Sequence, residues 1–193
     1  DLYITIALAI TLRGSPFFGE DPERLAVSVR AAELVDDDDL EHRVPLLATL
    51  ASETDLDQVD ERRRLAAQAI ELARSSGNDR LLLVALVEAY SADGGPAAHE
   101  RWLADTEWAM SAAAAHDDRS LEFWATMGRV RVLGEAGRTD DCAAAVAHAT
   151  ALMGTTGTPD RVQMVNQWNV AMMVQRAELV DAEQLAAGNF AGA

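Results

Sequence analysis

The sequence predicts an all-α protein, a right-handed superhelix of antiparallel helix hairpins with about 9–10 helices. Three observations predict it. Acidic residues that open apolar helical stretches fall at Asp1, Asp39, Asp79, Asp118 and Asp160, separated by 38, 40, 39 and 42 residues. A period of this size marks stacked helix pairs, none of which can bury its apolar face without a neighbour. The hydrophobic fraction is 49% but only 5% of residues are aromatic, so small aliphatic side chains must bring the helices close together. Finally, clusters of glycine, proline, serine and asparagine interrupt the apolar stretches at the intervals that hairpins require. The expected repeats are 1–38, 39–78, 79–117, 118–159 and an incomplete one over 160–193, all within a single domain.

The first helix is expected over 2–13, ending at Gly14-Ser15-Pro16. Its apolar start (LYITIALAITL) has the flavour of a signal peptide. It lacks a basic leading region, however, and eleven residues are too few to span a bilayer. Asp21-Pro22-Glu23 then places a capping aspartate before a proline at the first helical position, and Leu25, Val29, Ala32 and Val35 follow at helical spacing.

The run Asp36 to Asp39 lacks the alternating ligands, central glycine and twelfth-position glutamate of a calcium loop, so it reads as a solvated, helix-capping turn. A third helix over about 39–52 carries Pro45, where a local bend is expected. The fourth, over about 60–75, has acids in its first turn and Arg74 in its last, matching the helix dipole. The fifth, over 79–91, is almost wholly apolar from Leu81 to Val87, as suits a helix covered on two sides.

Further helices are expected over about 97–115, 118–136 and 140–153. From Asp160 to Ala187 there is no glycine or proline, which predicts one long or kinked helix, with two helices joined near Val180-Asp181 as the alternative. The chain starts on Asp1 inside a helical pattern and ends on residues that look like the opening of another helix. An excised piece of a longer polypeptide is expected.

Charge narrows the function. The net charge is −16, and all 16 basic residues are arginine. Without lysine, a Walker-type phosphate loop and Schiff-base chemistry are excluded within these residues. So negative a field repels phosphate backbones, and direct nucleic-acid binding is not expected. One cysteine, Cys142, precludes an internal disulfide and fits a reducing, cytoplasmic setting.

No catalytic constellation emerges. His42, His99, His116 and His148 are scattered; His99-Glu100 begins an H-E-x-x-H pattern, but Leu103 occupies the second ligand position. Serines lie in turns without a G-x-S-x-G context, and adjacent acids at helix starts are explained by capping. No catalytic residue, metal or cofactor is expected. The sharper expectation concerns Trp124 and Trp168, on first helices of successive repeats. They could form an aromatic platform for a peptide or small effector, with Arg129 and Arg131 supplying counter-charge; filling gaps between alanine-rich helices is the alternative.

The stretch from Leu65 to Asp79 (LAAQAIELARSSGND) resembles the second helix and turn of tetratricopeptide-like repeats. So does Glu135 to Cys142, in which a glycine, Gly137, precedes a small residue five positions later; Gly188 and Ala193 repeat that spacing around Phe190. The period near 40 departs from the tetratricopeptide value, and Arg129-Val130 stand where that pattern has leucine and glycine. The run of repeats looks like the helical region of large ATP-binding LuxR-type actinobacterial regulators, related to the maltose-regulon activator. Similar regions occur in some cyclase- and kinase-linked signalling proteins.

The resemblance implies a non-catalytic sensor or protein-interaction segment of a cytoplasmic transcriptional regulator. It would relay binding of a protein, peptide or small effector to neighbouring domains. Nucleotide- and DNA-binding modules would lie outside these residues. The alternatives are a generic assembly scaffold, or a regulatory segment of a cyclase or kinase. A homodimer through exposed apolar ends is a further possibility.

Overall fold

The computed structural model describes residues 2–11, 22–90, 92, 95–154 and 157–190. Among these, ten α-helices follow one another: α1 (Leu2–Thr11), α2 (Pro22–Leu34), α3 (Leu40–Glu53), α4 (Val59–Ser76), α5 (Asp79–Ala89), α6 (His99–Ala115), α7 (Arg119–Glu135), α8 (Thr139–Met153), α9 (Pro159–Gln175) and α10 (Leu179–Phe190). A short 3-10 turn, Pro96–Ala98, leads into α6, and no strand occurs among the described residues. The all-α expectation holds. The expected helix-capping turn at Asp36–Asp39 lies between α2 and α3, while the expected stop at Gly14-Ser15-Pro16 lies outside the described residues.

Each helix packs on its chain neighbours, and the odd-numbered helices also pack on one another: α1 on α3, α3 on α5 and α5 on α7. No comparable packing joins α2 to α4, α4 to α6 or α6 to α8 among the described residues. The core follows the same order. Ile4, Ala31, Val35 and Leu46 form one cluster; Val44, Leu47, Leu65, Ala69 and Ala85 form the next; Leu83, Leu86, Trp102, Phe123 and Val165 belong to the third. Helices α3 and α5 each contribute to two successive clusters, which is why α5 can be apolar nearly all round. Alanines make the close approach possible: Ala48, Ala51, Ala69 and Ala85 are completely buried.

Helix starts follow the sequence with local adjustments. The first cap of α5 is Asn78 rather than Asp79; its side chain accepts from the amides of Arg80 and Leu81 at 3.0 and 3.3 Å. Asp118 caps α7 by accepting from the Leu121 amide at 3.0 Å. Its neighbour Asp117 does not cap; it holds a left-handed backbone (φ 54°) in the turn. Pro45 is the sixth residue of α3 and buried, and the helix continues past it to Glu53. The proline costs the one backbone bond that position 45 would have given to the carbonyl of Glu41.

One expectation fails. Residues 160–187 do not form one long helix. Helix α9 ends at Gln175, and a turn at Arg176-Ala177-Glu178 precedes α10. The alternative of two helices holds, with the junction at Arg176-Ala177-Glu178, a few residues before Val180-Asp181, which both lie inside α10. The physical reason is a helix stop built without glycine. Ala177 takes φ 61°, its amide donates to the Val174 carbonyl, and the Glu178 amide donates to Met173. This is the double hydrogen-bonded C-terminal motif usually served by glycine. The same pair of bonds ends α7, where Gly137 (φ 70°) donates to Gly134 and Arg138 to Leu133.

Candidate interaction surface

The four residues expected at a platform are all placed, on α7 and α9. Trp124, in the first half of α7, stands edge-on to Phe123 with ring centroids 5.3 Å apart. It closes against Leu86, Val87 and Tyr90 at α5 and Thr106 and Ala109 on α6, around a void of only about 10 Å³. Such a space is at the limit for one water molecule and too small for an effector. Arg161 of α9 lies 5.0 Å from the Phe123 ring and 5.8 Å from the Trp124 ring, and donates to the Ser120 hydroxyl at 2.6 Å.

Trp168 does something different. Its ring lies over Gly134, near the C-terminal end of α7, so closely that a Cβ there would come within 2.7 Å of it. Trp124 and Gly134 are ten residues apart, about 15 Å along the helix axis. The two indoles therefore sit near opposite ends of α7, each set between helices.

The two arginines are likewise engaged. Arg129 donates to the Leu103 carbonyl of α6 at 3.0 Å and lies 3.7 Å from Glu107. Arg131 donates to Glu135 at 2.7 Å and stacks 5.8 Å from the Tyr90 ring. Burial pushes the Tyr90 phenol up, with Arg131 opposing that shift. Buried Arg62, at the start of α4, feels Arg131 as well. Burial first, then that like charge, lowers its pKa, while Glu53 raises it. Arg62 also donates to the Thr54 carbonyl at 2.9 Å. Arg131 thus stacks beside Tyr90 at the end of α5 and lies within the electrostatic reach of Arg62. The sequence reading missed both, because neither stands near Arg131 in the chain.

A wider opening lies elsewhere. Helices α2 and α4 stand apart above α3, leaving a groove of about 590 Å³. Its floor and walls are apolar: Leu25, Val29, Ala32, Leu47, Leu50 and Leu65. Its rim carries Glu33, Arg43, Asp55, Glu61 and Arg64. The sequence held a signal for it. The stripe Leu25, Val29, Ala32, Val35 reads as a single buried face, yet the structure divides it. Ser28, Ala31 and Val35 are buried, whereas Val29 is 43% exposed and lines the groove.

Against protein-family models, curated proteins and solved structures, the chain finds no match. Its possible chemistry must come from its own side chains. Among the described residues, no group of three or more histidine, cysteine or acidic side chains could hold a metal ion. Cys142 is buried, its thiol 3.5 Å from the Val130 carbonyl, and burial pushes its pKa up. That is the opposite of what a reactive thiolate needs. His148 and His99 contact Glu122 and Glu135 on α7, at 3.0 and 3.3 Å. These arrangements join helices to one another. No helix of the described residues is long and apolar enough to cross a membrane.

Proposed function

We propose that this chain is a non-catalytic recognition segment: a tetratricopeptide-like, right-handed superhelical stack that binds a partner or effector and passes that event to other domains of a cytoplasmic transcriptional regulator. The observation that carries the reading is the chain-ordered packing of α1, α3, α5 and α7. It builds a row of odd-numbered helices, with an apolar groove between two of the even-numbered ones, α2 and α4. A scaffold of that kind offers surfaces rather than reaction centres. The likeness of residues 65–79 and 135–142 to the repeats of LuxR-type regulators supplies the regulatory part of the proposal.

A relay needs no moving part beyond the stack itself. A ligand that binds one arrangement of the parent protein better than another shifts the population by its difference in affinity. Reading the coding sequence on either side of this segment tests the regulatory assignment. A phosphate loop upstream and a helix-turn-helix downstream are the expected result. A cyclase or kinase domain in their place, or an open reading frame with neither, would overturn it.

A further inference from the structure

We infer that the groove between α2 and α4 is a docking site for an amphipathic helix carrying basic residues at both ends. The inference deepens the recognition reading above and rests on it. Along α4 the groove runs from Gln58 to Gln68, about 15 Å, which accommodates one face of roughly three helical turns. Its apolar floor would take side chains spaced at i, i+3, i+4 and i+7, the pattern by which helices lie in grooves.

Charge selects the occupant. Asp55 lines the groove, with Asp57 and Asp60 close to it in the chain, and the groove's Arg43 reaches Asp37 in the acidic turn Asp36 to Asp39. Three nearby arginines are matched by acids, Arg30 to Glu33 at 2.9 Å, Arg43 to Asp37 at 2.8 Å and Arg64 to Glu61 at 2.6 Å, and His42 meets Asp39 at 2.7 Å. Asp55 receives only the neutral amide of Gln58, at 3.1 Å. The apolar trough is thus collared by unbalanced negative charge, which attracts and orients a basic partner.

A second copy of this chain is the wrong occupant. Each copy carries a net charge of −16. Of the other helices with exposed large apolar residues, α1 (Leu2, Ile6) and α10 (Leu179, Val180) contain no basic residue to meet the collar, and in α9 (Val162, Val174) Arg161 is already held by the Ser120 hydroxyl and the Phe123 and Trp124 rings.

The probe is a fluorescent peptide of about 14 residues with leucines at i, i+3, i+4 and i+7 and lysines at both ends. An otherwise identical peptide with glutamates replacing the lysines serves as control. Anisotropy titrations should show one-to-one binding of the lysine peptide, at least about tenfold tighter than the glutamate peptide. Val29→Arg should weaken it by about tenfold or more, and Val180→Arg, the same chemical change at an exposed position of α10, by less than about twofold. Circular dichroism checks that both variants remain folded.

Equal weakening by both variants would mean unspecific attraction to an acidic protein and would overturn the inference. So would equal binding of both peptides, or none. A dimer that Val29→Arg abolishes would identify a second copy as the occupant and also overturn it. None of these results touches the regulatory assignment, which stands or falls on the flanking sequence.

Discussion

The middle of the molecule and its two flanks bury their apolar residues in different ways. All the exposed large hydrophobics of the described residues lie outside the span from Asp60 to Arg161: Leu2, Tyr3, Ile6, Val29, Leu34, Leu56 and Val59 before it, and Val162, Val174, Leu179 and Val180 after it. Between α4 and α6 the even-numbered helices are linked by Arg74 and Asp105 at 2.9 Å, and Trp102 is buried in the cluster on which Ile70 of α4 packs. Between α2 and α4 the rim arginines turn elsewhere: Arg64 pairs within α4, and Arg43 with the turn beside α3. The order of helices is the same, but large side chains fill one layer and leave the other open. Backbone architecture sets where a groove can form, and side-chain volume decides whether it does.

The largest expected effect comes from emptying the filled layer. Trp102 is 2% exposed, and Trp102→Ala should cost about 3–5 kcal/mol, the sum of lost transfer energy and a residual cavity. Val29→Ala, in the open layer, should cost less than about 1 kcal/mol, because Val29 is already partly in water. Urea denaturation of both variants checks the contrast. Similar losses would mean that the open groove is packed as firmly as the middle.

How far the sequence revealed this arrangement depends on what each feature needed. The hairpins were legible because period, caps and breakers all act locally: Asn78 and Asp118 satisfy amides two or three residues away. The position of the α9–α10 break was not legible, because its left-handed residue is Ala177, and alanine carries no such preference. The placement of the two indoles was partly legible. Trp124 and Trp168 do lie on α7 and α9, but which face of a neighbour each meets depends on Gly134 and Arg161, whose roles appear only once the helices are stacked. The groove is the clearest limit. An apolar stripe on α2 announces that something covers it, not whether that cover belongs to this chain.

The boundary between middle and C-terminal flank can be probed within one helix. At Gly134 an added Cβ would lie 2.7 Å from the rigid Trp168 ring, whereas at Gly128 it would meet Thr106 and Tyr90 at 3.4 and 3.6 Å. Alanine in place of glycine gains up to about 1 kcal/mol of helix propensity. At Gly128 that gain should survive. At Gly134 overpacking of about 1–3 kcal/mol should exceed it. The two variants should therefore differ by about 2 kcal/mol with opposite signs, measured by denaturation midpoints at equal slope. Matching stabilities would mean that α9 shifts freely and that Trp168 does not wedge the flank in place.

Within the flank itself, Ala177→Gly should stabilise the protein by about 0.5–1 kcal/mol. The left-handed conformation costs an alanine about 1–2 kcal/mol, part of which returns as the greater freedom of glycine in the unfolded chain. Amide hydrogen exchange should slow in α10 more than in α5. Uniform slowing, or none, would mean that the turn does not limit the order of the flank.

The smallest effect is also the one that asks what keeps the middle closed. In the Arg74–Asp105 pair, the arginine side chain is 51% exposed and the aspartate only 16%. An exposed pair contributes about 0.2–1 kcal/mol, but here the partners are unequal. Removing Arg74 leaves a mostly covered carboxylate without its guanidinium in an already anionic protein. Removing Asp105 leaves an arginine that can turn to water. Arg74→Ala should therefore cost more, near the upper end of that range, and Asp105→Ala near the lower end, with the double variant close to Asp105→Ala alone. Equal costs for the two single variants would show that the pair decorates the surface, and that buried side chains such as Trp102 alone hold α4 and α6 together.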